Sequence, residues 1–227
     1  MLLIGGFQKL SLIDYPGKVA AVVFTQGCNF RCPFCHNREL VIPSEYGKLI
    51  PPEEIIRFLK ERQGKLQGLV VTGGEPTIHP DLILFLQNIK ALGYAIKLDT
   101  NGSRPDVLKE ILSNKLVDFI ALDIKAPLAK YSQIAGVEVD AGKIQESIQL
   151  VKDCGVEYLF RTTVAKPFFS MEDLEEISRL IQDARPYTIQ EFTARKNVLD
   201  QRLLDKGHYS EVEIQELKSR WERSRLR

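Results

Sequence analysis

Short runs of apolar residues recur along the chain at the length of buried β-strands. The runs are rich in β-branched and aromatic residues, and turn-forming residues separate them from the segments that follow. They predict six strands, at residues 19–24, 68–72, 95–99, 119–123, 158–164 and 187–192.

Between the strands the pattern changes to apolar residues three and four positions apart, which is typical of amphipathic helices. Pro51-Pro52-Glu53-Glu54 opens the first helix with proline and acid in its first turn, and Ser170-Met171-Glu172-Asp173 opens another with a start that resembles a capping box. The helical patterns cover residues 51–59, 82–93, 107–112, 144–155, 170–180 and 210–227.

Strands that alternate with helices predict parallel, right-handed βαβ units. Such units form either an open doubly wound sheet or a sheet that curls toward a barrel. Six units are fewer than a full eightfold barrel requires. A lead-in that ends in the turn Pro16-Gly17 precedes the first unit, and the 210–227 helix follows the last. We expect one domain over residues 1–227, with a core at about 18–195.

Composition narrows the possible partners. With 31 basic and 30 acidic side chains the formal net charge is +1, so charge gives no reason to expect nucleic-acid binding. The apolar start, residues 1–7, is short and has no basic leader, which predicts neither a signal peptide nor a membrane anchor. We therefore expect a cytoplasmic protein that does not act on a membrane.

Three of the four cysteines fall within eight consecutive residues, at Cys28, Cys32 and Cys35. A loop can bend three thiolates with this spacing toward one centre, and such soft ligands select iron–sulfur clusters, zinc or cuprous copper. Four cysteines are the ordinary ligand set of a [4Fe–4S] cluster. Three cysteines without an obvious fourth would leave one iron without a protein ligand. Such an open iron suggests a cluster that takes part in a reaction and is not only structural.

Two other interpretations of the loop remain open. A structural zinc site could use the three cysteines with His36, although zinc ligands are seldom adjacent as Cys35 and His36 are. The cysteines could also be buried thiols that only pack, like the unclustered Cys154. Asn29, Arg31 and Pro33 make the loop a poor match to that second interpretation.

Polar residues and glycines follow three of the other predicted strands. Parallel strands end at the same rim, where α/β proteins bind ligands. Glycines would let a ligand approach the backbone, glutamate could accept from an ammonium group, aspartates could bind hydroxyls or a cation, and lysine could bind a carboxylate. Each could equally be a helix cap or a surface charge. The segments are Thr72-Gly73-Gly74-Glu75-Pro76, Asp99-Thr100-Asn101-Gly102 and Asp123-Ile124-Lys125.

These motifs resemble those of a known family. Cys28-x3-Cys32-x2-Cys35, with Phe34 before the last cysteine, and the Gly73-Gly74-Glu75-Pro76 turn resemble the radical S-adenosylmethionine (radical SAM) superfamily. Within it, the stretches 32–37, 98–102 and 123–125 resemble glycyl-radical-enzyme activases. The opening stretch 6–17 resembles the activating proteins of anaerobic ribonucleoside-triphosphate reductases.

The resemblance implies a partial, six-stranded (β/α)6 TIM-like barrel, a [4Fe–4S] cluster and SAM. Cys28, Cys32 and Cys35 would bind three irons, and the methionine end of SAM would chelate the fourth. Gly74 and Glu75 would hold the amino group of SAM, the backbone at Phe34 and His36 would contact adenine, and Asp99 with Thr100 would help to form a monovalent-cation site. The remaining residues that the resemblance places near the cofactor are Gly73, Asn101, Asp123, Lys125 and Arg161.

It also implies an activity. An electron from a flavodoxin or ferredoxin would cleave SAM to a 5′-deoxyadenosyl radical, which would take hydrogen from a glycine of a partner enzyme, an anaerobic ribonucleotide reductase. Pyruvate formate-lyase activases share a histidine after strand six, whereas residues 190–196 contain none. The alternatives are a radical SAM enzyme acting on a small molecule or on another glycyl-radical enzyme, and a non-enzymatic zinc-binding domain.

Overall fold

A computed structural model describes residues 1–166, 168–182, 184–193, 196–206 and 209–224. The described residues form one seven-stranded sheet whose strands follow one another in chain order. The strands are β1 Ile4–Ser11, β2 Ala20–Thr25, β3 Gly68–Gly73, β4 Ala95–Thr100, β5 Phe119–Asp123, β6 Glu157–Val164 and β7 Tyr187–Glu191. From β2 to β7 all neighbours are parallel, so the six predicted strands are confirmed.

The lead-in differs from the prediction because it forms β1, which pairs antiparallel with β2. Gly5 and Gly6 interrupt its apolar pattern, and the side chains of Gln8 and Lys9 are exposed, so the strand lacks the continuous apolar run of a central strand. The strand order leaves β1 and β7 as the two edges of the described sheet, so the partial barrel is open at the side.

Helices separate the parallel strands as predicted. Ser170 and Asp173 form a reciprocal capping box at the start of α7, which confirms that signal. Of the last predicted helix, residues 225–227 lie outside the described residues. The helices are α1 Arg38–Val41, α2 Pro52–Glu61, α3 Leu82–Ala91, α4 Pro105–Ser113, α5 Tyr131–Ala135, α6 Ala141–Asp153, α7 Met171–Ile181, α8 Leu203–Lys206 and α9 Glu211–Ser224.

The two faces of the sheet pack differently because side chains alternate along a strand. On the outer face, residues such as Val71, Leu98 and Leu122 join the helices in one large apolar cluster. On the inner face, a smaller cluster lies at the amino-terminal half of the strands and contains Tyr15, Ala20, Val22, Val70, Phe119 and Ala121. No helix among the described residues combines the length and apolar character needed to cross a membrane.

Candidate active site

A cavity of about 520 Å³ lies at the carboxyl ends of the parallel strands. All fourteen residues predicted from the sequence line it: Cys28, Cys32, Phe34, Cys35, His36, Gly73, Gly74, Glu75, Asp99, Thr100, Asn101, Asp123, Lys125 and Arg161. The prediction missed other lining residues, namely Asp14, Phe30, Asn37, Val41, Thr72, Thr163 and Gln190. Thr72, Thr163 and Gln190 share the inward parity of their strands, so alternation along each strand could have identified them.

The cysteine loop leaves β2 and is fixed from both sides. The Cys35 amide donates to the Cys32 carbonyl at 3.0 Å, and the Arg31 amide donates to Ala135 at the end of α5 at 2.7 Å. Gly136 follows in the left-handed conformation, and a Cβ there would lie 2.4 Å from the Arg31 carbonyl oxygen. The loop therefore depends on a glycine more than 100 residues away in sequence.

The three thiols are largely withdrawn from water. Burial raises the pKa of Cys28 to about 12, with a further contribution from nearby Glu75, and raises that of Cys32 to about 11. Burial also raises the pKa of Cys35. The metal-free thiols are thus protonated at neutral pH, and binding iron requires them to lose their protons.

The donor chemistry of the loop fits a [4Fe–4S] cluster. Three soft sulfur donors share one wall of a cavity, and each iron of a cluster takes one thiolate, so the donors can be spread along a loop. No three histidine, cysteine, aspartate or glutamate side chains in the described part of the chain converge on the position of a single metal ion.

His36 is held by residues that follow β7, namely Phe192, Thr193 and Asn197. Its ring stacks on Phe192 with an interplanar angle of 7°, and its Nε2 donates to the Thr193 carbonyl at 2.6 Å. That nitrogen is therefore engaged by a backbone carbonyl, which argues against its use as the fourth ligand of a zinc site with the three cysteines. The side-chain amide of Asn197 donates to the His36 carbonyl at 2.6 Å.

Two backbone hydrogen bonds complete this contact between distant parts of the chain. The Leu199 amide donates to the Cys35 carbonyl and the Asp200 amide donates to the Pro33 carbonyl, both at 2.9 Å. No sequence pattern signals these contacts, because backbone groups of any residue can make them. The predicted contact between adenine and the backbone at Phe34 and His36 stays a prediction.

The glycine turn after β3 requires its glycines for steric reasons. Gly73 has a φ of +109°, and a Cβ there would lie 2.5 Å from the Thr25 nitrogen. A Cβ on Gly74 would lie 2.0 Å from the Gly27 carbonyl oxygen. The turn is thus packed directly against the start of the cysteine loop.

Glu75 has different partners from those its predicted role suggests. Its carboxylate is almost fully buried and accepts from the Thr77 amide at 3.0 Å, the Thr100 hydroxyl at 2.7 Å and the Asn101 amide at 2.7 Å. Burial raises its pKa, and these hydrogen bonds oppose the rise. The side chain ties the ends of β3 and β4 together, and a direct contact with the amino group of SAM stays a prediction.

A chain of opposite charges crosses the inner face of β4, β5 and β6. Arg161 donates from Nε to Asp123 Oδ1 at 2.7 Å and from Nη1 to Asp99 Oδ2 at 3.2 Å. Lys125 Nζ lies 3.1 Å from Asp123 Oδ2, and Lys97 Nζ pairs with Asp99 Oδ1. We call Lys97, Asp99, Arg161, Asp123 and Lys125 the charge network.

Two pKa values in the network show its internal balance. Burial alone would raise the pKa of Asp123, but Arg161 and Lys125 overcome it and hold that pKa well below the usual range. Burial would lower the pKa of Lys125, but Asp123 outweighs it and raises that pKa. Both groups are therefore charged at neutral pH. Their ion pairs hold them in position, so a charged ligand that enters the cavity would contact groups that are already ordered.

The residues of the predicted monovalent-cation site already have protein partners. Both carboxylate oxygens of Asp99 have cationic partners, and the Thr100 hydroxyl donates to Glu75. A cation at this position would replace existing contacts. The cation site therefore stays a prediction, and in this structure the two groups predicted to bind the cation have partners on neighbouring strands.

Comparison with known proteins adds to this geometry. A model of the Radical SAM superfamily matches residues 22–181. A Methanocaldococcus jannaschii protein that carries the name glycyl-radical enzyme activating enzyme is 34% identical over 223 residues, covering 95% of this chain and 90% of the relative. The pyruvate formate-lyase-activating enzyme of Clostridium pasteurianum is 28% identical over 194 residues, covering 80% of this chain and 77% of that enzyme.

The fold is also similar to that of a solved structure, Streptococcus suis SuiB bound to precursor peptide SuiA. The TM-score is 0.69 at 15% identity, and the match covers 88% of this chain. This chain spans 44% of the length of the SuiB chain, so the likeness concerns the shared fold alone.

Proposed function

This chain belongs to the radical SAM superfamily, and we propose that it generates a glycyl radical on a partner enzyme. Membership implies an enzyme that uses a [4Fe–4S] cluster and SAM. The proposal rests on one observation above all: three cysteines, a glycine turn and four members of the charge network, contributed by five successive parallel strands, line one cavity. The extended similarity to two named activating enzymes supports the choice of a protein glycine as substrate.

We assign Cys28, Cys32 and Cys35 as ligands of three irons of the cluster. A bound cluster would supply one electron for cleavage of the sulfur–C5′ bond of SAM to methionine and a 5′-deoxyadenosyl radical, which could take a hydrogen atom from the Cα of the partner's glycine and leave 5′-deoxyadenosine and a glycyl radical. The chain's own residues bind and orient SAM and limit access of water.

The methionine end of SAM would lie against the glycine turn and the charge network. Gly73 and Gly74 line the cavity and carry no side chains of their own, so a ligand can approach their backbone, and the side-chain amide of Asn37 donates to the Gly73 carbonyl at 3.0 Å. Lys125 and Arg161 line the cavity and provide cationic groups for the carboxylate of SAM. Asp123 fixes both cations in place through its hydrogen bonds.

The finer part of the proposal concerns the partner and the setting. We propose an anaerobic ribonucleoside-triphosphate reductase as partner, because the stretch 6–17 resembles the activating proteins of those enzymes. Residues 190–196 contain no histidine, which makes a pyruvate formate-lyase a poorer candidate. Residues 1–227 would act as a single domain in the cytoplasm, with a flavodoxin or ferredoxin as electron donor.

The test of the radical mechanism begins with anaerobic reconstitution with iron and sulfide. Addition of a reductant and SAM should then release 5′-deoxyadenosine. Cys32→Ala should bind less iron and should release no 5′-deoxyadenosine. Cys154→Ala should behave like the wild type, since Cys154 lies at the end of α6 away from the cavity. A protein that takes up zinc, forms no cluster and never cleaves SAM would refute the proposal.

The test of the substrate uses electron paramagnetic resonance. Reconstituted enzyme, SAM and reductant are mixed with a purified anaerobic ribonucleotide reductase from the same genome. The expected signal is a glycyl radical on the reductase, which a glycine-to-alanine change at the radical site should abolish. Cleavage of SAM without a radical on any glycyl-radical enzyme would favour a small-molecule substrate.

A further inference from the structure

Lys97 is a buried lysine in the charge network that the sequence did not bring into the predicted site. Its side chain is 4% exposed. It lies two residues before Asp99 on β4, so both side chains are on the inner face of the sheet. Its Nζ pairs with Asp99 and lies 5.9 Å from the centroid of the Phe119 ring. An ammonium group buried this deeply requires a counter-charge, which Asp99 supplies.

Asp99 is held between two cations that reach it from different directions. Arg161 contacts Asp99 Oδ2 and lines the cavity together with it. Lys97 contacts the other oxygen, Oδ1, and does not line the cavity. An inorganic cation placed at Asp99 would therefore lie close to two positive groups, and it would have to compete with both of them for the carboxylate.

We propose that Lys97 is the built-in counter-charge of Asp99 and takes the place of a monovalent cation at this site. The charge network then has three cationic and two anionic groups, and its net positive charge favours an anionic ligand group in the cavity. The consequence is an enzyme whose affinity for SAM does not depend on sodium or potassium. This inference rests on the proposed function only in placing the carboxylate of SAM beside the network.

The first test needs no SAM. Thermal unfolding of the purified chain is compared in potassium, sodium and choline chloride at equal ionic strength. We expect the wild type to unfold at the same temperature in all three salts. Lys97→Met removes one cationic partner of Asp99, so sodium or potassium should raise its unfolding temperature over that in choline by about 2 to 4 °C.

The second test measures SAM affinity of the cluster-reconstituted enzyme by equilibrium dialysis in the same three salts. We expect wild-type affinity to agree within about twofold across salts, since no cation takes part. Lys97→Met should bind SAM about tenfold more weakly in choline and recover part of the loss in potassium or sodium. Lys97→Arg keeps the charge and should behave like the wild type.

Lys90→Met is the matched control. It removes an equal charge from an ion pair with Asp118, where both side chains are more than one third exposed, and Lys90 does not line the cavity. It should leave both measurements independent of the cation. A wild type that binds SAM at least about tenfold more tightly in potassium than in choline would overturn the inference, even if Lys97→Met does not fold.

The inference can also fail or hold independently of the proposed function. A Lys97→Met protein that folds and is indifferent to the cation in both measurements would overturn it, whatever the substrate. Cation-dependent unfolding of Lys97→Met in a chain that binds no SAM would support the counter-charge role of Lys97 and refute the proposed function.

Discussion

The two ends of the inner face of the sheet are built on the same strands but have opposite chemistry. The amino-terminal end is closed by an apolar cluster around Tyr15, Val70 and Phe119. The carboxyl-terminal end carries the charge network and opens into the cavity. On β5, Ala121 belongs to the first and Asp123, two residues later, to the second.

This difference shows how one scaffold separates stability from function. The apolar end needs only bulk and shape, since burial of nonpolar surface is nondirectional. The charged end needs specific partners, because each buried charge is costly without them. The two ends should therefore respond differently to the same kind of substitution.

The largest expected effect comes from placing a charge in the apolar end. Ala121→Asp buries a further carboxylate beside Asp99, its register partner on β4, where the cationic groups are already paired, so we expect a loss of about 3 to 5 kcal/mol in the free energy of unfolding, or failure to fold. Thr163→Asp introduces the same group at the half-buried cavity wall and should cost about 1 kcal/mol. Urea unfolding measures both, and equal losses would contradict the difference between the ends.

A smaller effect is expected from removing the central cation of the charged end. Arg161→Met takes away the shared partner of Asp99 and Asp123, while Lys97 and Lys125 remain, and should cost about 1.5 to 3 kcal/mol at pH 7. The exposed Arg202, paired with Asp200, supplies the control Arg202→Met, which should cost less than about 1 kcal/mol.

The pH dependence of this loss has a definite sign. The pKa of Asp123 is lowered in the folded state, so its ion pairs stabilise the protein above the unfolded pKa, and this contribution is lost as the pH falls toward the folded value. The gap in unfolding free energy between wild type and Arg161→Met should narrow below about pH 4. A gap that stays constant from pH 7 to pH 3 would show that the charge of Asp123 does not carry the effect.

The smallest expected effect comes from removing a polar group at the apolar end. Burial, with Asp118 and Glu157 nearby, raises the pKa of Tyr15 to about 12, so its hydroxyl is neutral and the ring fills space. Tyr15→Phe should change the free energy of unfolding by less than about 0.5 kcal/mol, whereas Tyr15→Ala should cost about 3 to 5 kcal/mol. Equal effects of the two variants would mean that the hydroxyl, and not packing, closes this end.

The sequence by itself determined the six parallel strands, most of the helices that separate them and fourteen of the residues that line the cavity. These features follow from local signals. Strand period and chain order bring the carboxyl ends of parallel strands to one rim, and the spacing of Cys28, Cys32 and Cys35 places three donors on one short loop.

Only the tertiary structure decided which partner each wall residue has. Glu75 joins Thr100 across two strands, Lys97 neutralises Asp99, and Asn197 holds a carbonyl 161 residues earlier in the chain. The tertiary structure also decided the edge strand β1, because pairing with β2 compensates for the weak apolar pattern of its sequence. A local pattern reports whether a residue is buried, but strand register and chain crossing decide what it is buried against, and that choice fixes the electrostatics of the site.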